Sequence, residues 1–313
     1  MKTLVTDSPT EAARFISAGG IVAFPTETVY GLGANVFDER AIEKIFAAKR
    51  RPSDNPLIVH VASPCQISLV ASSIPETAQS LIKTFFPGPL TVVLPKRETV
   101  SSLASAGLST IGVRMPKNTI ANTFISECDT PIVAPSANLS GKPSPTTWQA
   151  VFEDLNGRVD CILMGDATEI GLESTVVDCT EDPPILLRPG AISMEQIQAT
   201  VPSIQPISGE QQEIRSPGMR HRHYSPSAAV RLIYSGDSLA VDENSAFIGL
   251  HDRPSAFSVK RICESVDEYA RDVFEFFREC DRHQIATIYC EAITETGIGA
   301  ALMDRLLRAS KSR

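Results

Sequence analysis

The sequence predicts an α/β protein in two parts. A twisted mixed sheet with flanking helices is expected over residues 1–201, and a smaller Rossmann-like α/β domain over residues 228–313. Three observations carry this. Short apolar runs alternate with segments that bear helix caps. Residues 202–227 then break both the helical and the strand period with Pro202, Pro206, Pro217, Pro226, Gly209, Gly218 and several serines, as a linker would. Beyond them a fresh α/β alternation begins, and a length of 313 residues suits two domains.

The elements follow in order. Ser8-Pro9-Thr10-Glu11 joins a capping box to a proline at the first helical position, and Gly19-Gly20 ends the helix they open. Residues 21–24 form an apolar strand. Asp38 caps a helix that runs to about residue 48 and ends in Lys49, Arg50 and Arg51. Strands fit residues 57–61, 91–94, 111–114, 132–134, 162–164, 175–178 and 185–187. Helices fit a segment opened by Ser73-Ile74-Pro75-Glu76 and residues 119–127, 147–155 and 193–200. In the second part, strands fit 230–234, 246–250 and 286–290, with helices near 266–281 and 298–309. No Gly-x-Gly-x-x-Gly accompanies them, so this part carries no dinucleotide signature.

Composition narrows the function classes. Hydrophobic residues make up 42% and charged residues 21%, as in an ordinary globular protein. No apolar run reaches the roughly 20 residues of a membrane span, and the N-terminus lacks a secretory pattern. Seven cysteines are widely spaced with no Cys-x-x-Cys pair, which indicates neither disulfides nor zinc and points to the cytoplasm. His221 and His223 match no closed zinc set. Residues 1–201 hold 15 basic against 21 acidic side chains, so no basic footprint for a long nucleic acid exists. Positive charge is concentrated at points such as Lys49 to Arg51, a pattern that suits a small polyanion.

The segment with most chemistry is Pro25-Thr26-Glu27-Thr28-Val29-Tyr30-Gly31-Leu32-Gly33. An apolar strand that breaks into hydroxyls, a carboxylate and two glycines is poor packing material but allows close approach to a ligand. Downstream lie Lys49-Arg50-Arg51-Pro52 with Asn55-Pro56-Leu57-Ile58-Val59-His60, and then Phe86-Pro87-Gly88-Pro89-Leu90-Thr91. After these come Gly112-Val113-Arg114-Met115-Pro116, Pro135-Ser136-Ala137-Asn138-Leu139-Ser140-Gly141, Gly171-Leu172-Glu173-Ser174-Thr175 and Arg188-Pro189-Gly190. No Gly-x-x-x-x-Gly-Lys-Ser/Thr is present, so any nucleotide is held without a P-loop.

That ordered series resembles the YrdC-like domain of threonylcarbamoyl-AMP synthases over most of residues 8–201. Ser216-Pro217-Gly218-Met219 and His223-Tyr224-Ser225-Pro226 resemble the linker of the family's two-domain branch. The resemblance implies a YrdC-like catalytic domain over 1–201, a linker and lid over 202–227, and the C-terminal domain over 228–313. It implies a nucleotidyltransferase that converts L-threonine, bicarbonate (or CO2) and ATP to L-threonylcarbamoyl-AMP and pyrophosphate. Mg2+ would accompany ATP, with no metal site of the protein's own assigned. The product would pass to the tRNA threonylcarbamoyl transferase machinery for N6-threonylcarbamoyladenosine modification, with a weak tRNA contact and no membrane. Catalysis of this kind is alignment and charge neutralisation, which fits a site rich in cations and hydroxyls.

The same resemblance implies residue roles. Lys49 and Arg51, expected as partly exposed cations, would hold the triphosphate, although cations at a helix end also complement its dipole. Asn55, Thr110, Ser144, Arg188 and Tyr224 would meet ATP. Ser136 and Asn138 would complete the catalytic set at the end of a strand, a position that turn chemistry alone would also give to Ser and Asn. Thr28 and Ser174 would take threonine's polar groups, Arg114 its carboxylate, and His60 would line the pocket. Glu27 and Glu173 are acids near the site whose part, metal or loop order, stays open. The chain departs from the family pattern at Met164-Gly165-Asp166, at Lys117-Asn118-Thr119 and at Phe86. Arg215, Arg220, Arg222, His223 and Tyr224 supply donors and a ring that a plain spacer would lack, hence the expectation of a lid closing over ATP. Two other readings are carbamoyl-AMP chemistry, as in hydrogenase-maturation carbamoyltransferases, whose acylphosphatase-like and zinc-finger segments this chain lacks, and an RNA-binding module, which the acidic balance disfavours.

Overall fold

The computed structural model describes residues 2–207, 224–237, 241–253 and 256–311. Arg215, Ser216, Pro217, Gly218, Met219, Arg220, His221, Arg222 and His223 lie outside the described residues, and so does most of the expected lid.

The chain enters through β1 (Leu4–Thr6) and α1 (Pro9–Ser17). The Ser8 side chain accepts from the Glu11 amide as expected of its cap, and Ala12, Ala13 and Ile16 form the buried face. There follow β2 (Val22–Phe24), β3 (Gly31–Asn35), α2 (Glu39–Lys49), β4 (Ile58–His60), a 3-10 turn at Pro64–Gln66 and α3 (Ile67–Val70). Then come α4 (Glu76–Phe85), β5 (Leu90–Pro95), β6 (Thr110–Arg114), α5 (Thr119–Glu127), β7 (Ile132–Ala134) and α6 (Trp148–Leu155). The first unit ends with β8 (Cys161–Leu163), β9 (Thr175–Asp178), β10 (Ile185–Arg188), α7 (Met194–Thr200) and β11 (Gln205–Pro206).

These strands build one mixed sheet of eleven among the described residues, in the order β1-β8-β2-β3-β7-β4-β6-β5-β9-β10-β11. Three parts of it were not expected. β1 is only three residues long, too short to show a period. β11 pairs with β10 where a structureless linker was expected, because Ile204 and Val201 still pack on the core. β3 lies inside the glycine-rich segment read as site loop. A Cβ on Gly33 would meet Ile132 Cγ2 at 2.6 Å, so this glycine serves sheet packing rather than ligand approach.

The second unit holds β12 (Ala229–Ile233), β13 (Ser245–Gly249), β14 (Val259–Ile262), α8 (Val266–Arg282), β15 (Thr287–Glu291) and α9 (Ile298–Ser310). Its sheet is wholly parallel, in the order β12-β15-β13-β14. β14 was not expected, because Lys260 and Arg261 interrupt its apolar pattern. Val230, Ala246, Ile248, Ile288 and Cys290 share one apolar cluster with α8 and α9. Phe247 and Tyr289 face the other way, onto Val241 and Phe257. Among the described residues no helix is long and apolar enough to cross a membrane.

The two units share a core. Val29 and Leu172 of the first sit in the same cluster as Tyr269, Val273, Phe274 and Phe277 of α8. Gly171 has φ +79°, and a Cβ there would lie 2.3 Å from the Arg271 carbonyl oxygen, so helix α8 rests directly on this glycine. Arg278 of α8, almost fully buried, donates to the Pro143 carbonyl at 2.6 Å and to Asp154 at 2.9 Å. Asp154 also accepts from the Leu139 amide and from Lys142. Its carboxyl is held below the usual range, since hydrogen bonding and charge from Arg278, then Lys142, outweigh the burial that would raise it.

Arg278→Ala should therefore lower stability by about 3–5 kcal/mol, because it leaves a buried carboxylate short of its partner. Arg282→Ala, which removes the solvent-accessible pairs with Glu153 and Glu275, should cost no more than about 1 kcal/mol. Urea unfolding of the two variants side by side measures the difference.

Candidate active site

A single cavity gathers most of the expected site residues. Thr28, His60, Arg114 and Ser174 line it, together with Arg51, Ser136, Arg188 and Tyr224. Sheet register explains the gathering. His60 ends β4 beside Arg114 at the end of β6, since those strands are parallel. β5 runs antiparallel to β6, and β9 runs parallel to β5, so Ser174, just before β9, reaches the same edge. β10 is antiparallel to β9 and delivers Arg188 there. β7, however, is antiparallel to β4, which sends Ser136 to the opposite end of that strand, bridged to Gly31. The cavity thus spans the short β4 instead of sitting on one edge, unlike the single carboxyl edge of a wholly parallel sheet.

Arg114 is buried and highly partnered. Its Nη1 donates to Thr28 Oγ1 at 2.7 Å, its Nε to the Gly88 carbonyl at 3.3 Å, and its Nη2 lies 2.7 Å from Glu27. That settles the part of Glu27: it balances a buried guanidinium. The Gly88 contact also explains why Phe86-Pro87-Gly88-Pro89 belongs to the site, although none of its side chains lines the cavity. His60 is pushed down to about 3 by burial and by the neighbouring Arg114, so its imidazole is neutral at physiological pH and acts as a hydrogen-bonding wall. Ser174 Oγ is 2.8 Å from Thr91 Oγ1, and its carbonyl accepts two bonds from Arg188, at 3.1 and 2.9 Å.

The Ser136 end is organised by Lys49. The sequence reading expects a partly exposed cation there, but Lys49 is only 1% exposed. Its Nζ donates to the carbonyls of Ser136 and Asn138 at 2.5 and 2.6 Å. The last turn of α2 points inward, so this lysine clamps the loop after β7 from behind. Burial, reinforced by nearby Arg51, holds its amine well below the ordinary lysine value. Ser136 Oγ donates to Asn138 Oδ1 at 2.6 Å, and the Asn138 amide donates to the carbonyls of Leu139 and Lys142. Asn138 therefore shapes the loop while Ser136 faces the cavity. Arg51 also faces the cavity. Burial pushes its guanidinium down to about 10, which leaves it cationic at neutral pH.

Three expected ATP residues do not line this cavity. Asn55 is buried, and its carbonyl accepts from Arg51. Ser144 donates to Glu173 at 2.5 Å and is covered by it. Thr110 borders a smaller hollow with Thr91, Gly112 and Val176. That hollow meets the main cavity through Pro56, Leu57 and Ile58, which border both.

Of the residues beyond 223 that reach this cavity or its walls, sequence reasoning marked Tyr224 and missed Arg305. Tyr224 is buried with φ +64°, and its ring stacks on Phe274 of α8 at 5.3 Å. The guanidinium of Arg305, on α9, lies 5.5 Å from the centre of that ring. Arg305 Nε donates to Glu173 Oε2 at 3.0 Å. Glu173 thereby finds its part in ordering the site. Burial would raise its carboxyl, but Arg305, then Arg188 and Ser144, hold it below the usual range. In the sequence Arg305 reads as one more charge on an amphipathic terminal helix, and no signal marked it. Among the described residues no group of three His, Cys, Asp or Glu side chains is placed to hold a metal ion.

Comparison with known proteins agrees with this architecture. The Sua5, YciO and YrdC family model, described as telomere recombination, matches residues 14–190. The model for the threonylcarbamoyl-AMP synthase C-terminal domain matches residues 192–311. The threonylcarbamoyl-AMP synthase of Pyrococcus abyssi is 46% identical, with 96% of this chain and 94% of that protein covered. The Bacillus subtilis protein of the same name is 40% identical, with 97% and 93% covered. The crystal structure of P. abyssi Sua5 complexed with L-threonine superposes with a TM-score of 0.91 at 42% identity, over 100% of this chain and 98% of that one. From its residues, its two sheets and these relatives, the chain belongs to the threonylcarbamoyl-AMP synthase family, in the branch that carries the Sua5 C-terminal domain.

Proposed function

We propose that the chain makes L-threonylcarbamoyl-AMP and pyrophosphate from L-threonine, bicarbonate or CO2, and ATP. The observation that carries this reading is that one cavity holds Thr28, His60, Arg114 and Ser174 within the same walls as Arg51, Ser136, Arg188 and Tyr224. The first group suits an amino acid: a guanidinium for the carboxylate, hydroxyls for the polar groups and a neutral imidazole. The P. abyssi relative, solved with L-threonine, supports that choice of amino acid. The second group suits a nucleotide polyphosphate. Arg188 joins the two groups through the Ser174 carbonyl. The three residues of β4 separate Ser136 from the His60 and Arg114 end by only about 7–10 Å, at roughly 3.3 Å of rise per residue, so both substrates fit side by side.

The chemistry needs no side-chain nucleophile. The threonine amine takes up CO2 to form a carbamate, or condenses with bicarbonate and releases water. A carbamate oxygen then attacks the α-phosphorus, the bond from that phosphorus to the α,β-bridging oxygen breaks, and pyrophosphate leaves. The chain's part is alignment and charge balance: Arg114 fixes the amino acid, while Arg51 and Arg188 offset charge on the phosphates. Lys49 acts through the Ser136–Asn138 loop that it clamps. Thr110, Asn55 and Ser144 complete the nucleotide side from around and behind the cavity. Glu27 and Glu173, the acids nearest the site, are committed to arginines, so the residues present do not fit a resident metal. Mg2+ enters as part of the MgATP substrate, held by phosphate oxygens. The labile mixed anhydride would pass to the machinery that modifies tRNA. All seven cysteines are unpaired, in keeping with a cytoplasmic setting.

Pyrophosphate release should require L-threonine, bicarbonate and MgATP together, measured with each omitted in turn. Release without any amino acid would favour the carbamoyl-AMP reading instead. Serine should replace threonine with a penalty of about 1–3 kcal/mol for the missing methyl group.

Variants should separate the two ends of the cavity. Arg114→Ala should weaken threonine binding and Arg51→Ala should weaken ATP binding, each by about 1.5–3 kcal/mol. Lys49→Ala should differ from both. It strands the buried carbonyl of Asn138 and the partly buried one of Ser136, so thermal unfolding should show a lost stability of at least about 2 kcal/mol beside lost turnover. Lys49→Ala with an unchanged melting temperature would refute the clamp.

A further inference from the structure

We infer that Arg305, on the last helix of the second unit, is a positioning residue for the nucleotide side of the cavity. By engaging Glu173 it keeps Arg188 available for phosphate, and it helps to seat the Tyr224 ring. The inference rests on the proposed reading that Arg188 and Tyr224 meet ATP.

The geometry is unlike that of an ordinary interface arginine. Arg305 is 1% exposed and leaves its own helix to reach the first unit. Nε donates to Glu173 Oε2 at 3.0 Å, and Nη1 donates to the Pro189 carbonyl at 3.1 Å. Nη1 also bonds Asp304 at 2.8 Å, which links the group to Arg308. Both first-unit contacts flank cavity residues: Glu173 precedes Ser174, and Pro189 follows Arg188. The carbonyl contact fixes where Arg188 leaves β10. The carboxylate contact decides a competition, because Glu173 lines the cavity and has two arginines in reach of its charge, Arg305 and Arg188. Arg188 now spends Nε and Nη2 on the Ser174 carbonyl. If Arg305 were removed, a buried carboxylate would keep, among the described residues, one hydrogen-bond donor, the Ser144 hydroxyl. It would then turn to Arg188 and cancel the charge that a triphosphate needs. Tyr224 would lose the cation over its ring at the same time.

Calorimetric titration of the full-length chain with MgATP, and separately with L-threonine, tests this on Arg305→Met, Glu173→Gln and the double variant. Arg305→Met should bind ATP at least roughly tenfold more weakly while threonine affinity changes by less than about threefold, since the lost partner sits on the nucleotide side. Glu173→Gln should weaken ATP binding less than Arg305→Met does, and the double variant should bind ATP at least about threefold more tightly than Arg305→Met, because the stranded charge is gone although Tyr224 still lacks its cation. A merely structural role gives no such rescue. Arg305→Met with normal ATP affinity, or a double variant as weak as Arg305→Met, would overturn the inference. If Arg305→Met does not fold, the double variant decides: it should fold and bind ATP, and failure of either overturns the inference. Absence of ATP binding by the unsubstituted chain would sink the proposed function as well.

Discussion

The organisation of this protein depends on burying basic side chains around one cavity, each with its own set of acceptors. Arg114, Arg188, Arg305 and Lys49 are each at most 6% exposed, and all lie at or just behind the same cavity. A guanidinium or ammonium taken out of water costs several kcal/mol unless its hydrogens are met. The solution differs at each position. Arg114 has Glu27 and a threonine hydroxyl, Arg188 has one carbonyl twice, Arg305 has two carboxylates, and Lys49 has two carbonyls. Carbonyl partners satisfy the hydrogens without cancelling the charge. Cations held this way stay electrically available to an anionic ligand, which is what distinguishes Arg188 from Arg305.

The mixed topology of the sheet follows the same logic. A wholly parallel sheet delivers its functional loops to one edge. Here β7 is antiparallel to β4 and β5 to β6, so loops arrive at both ends of the three-residue β4. Arg51 faces the cavity with Ser136, while Arg114 and Arg188 come together at the other end, where Glu27 balances the first and the Ser174 carbonyl meets the second.

This arrangement also explains how much was legible in the sequence. Helix caps at Ser8 and Asp38 and apolar runs such as residues 132–134 are local signals, and the structure carries those elements. Motif residues that follow strands, such as Thr28 and Ser136, were legible because polar residues after an apolar strand stand out. Elements without a local signal were not: β1 has three residues, β14 is interrupted by charges, and β3 hides in a glycine-rich stretch. The direction in which Lys49 points was equally hidden. The period of α2 places it on the buried side of the last turn, yet a lysine among two arginines reads as a solvated end. Arg278 and Arg305 were illegible for a stronger reason. Their partners, Asp154 and Glu173, lie more than 120 residues away in sequence, as interactions between |i−j| of 124 and 132.

Those two arginines give the second unit a role that its lack of a dinucleotide signature leaves open. Arg278 reaches Asp154 and Pro143, which hold the loop that carries Asn138 and Ser144. Arg305 reaches Glu173 and Pro189, which flank Ser174 and Arg188. Each of the two packed helices thus braces one loop of a cavity built by the other sheet, and Tyr224 enters that cavity against Phe274 of α8. The free energy that docks the units and the free energy that shapes the cavity are therefore held partly in the same contacts. A ligand that binds the docked form better than the undocked one must, by linkage, tighten the docking by the same amount. The second α/β unit accordingly belongs to the site as scaffold, although its own strands supply none of the residues that line it.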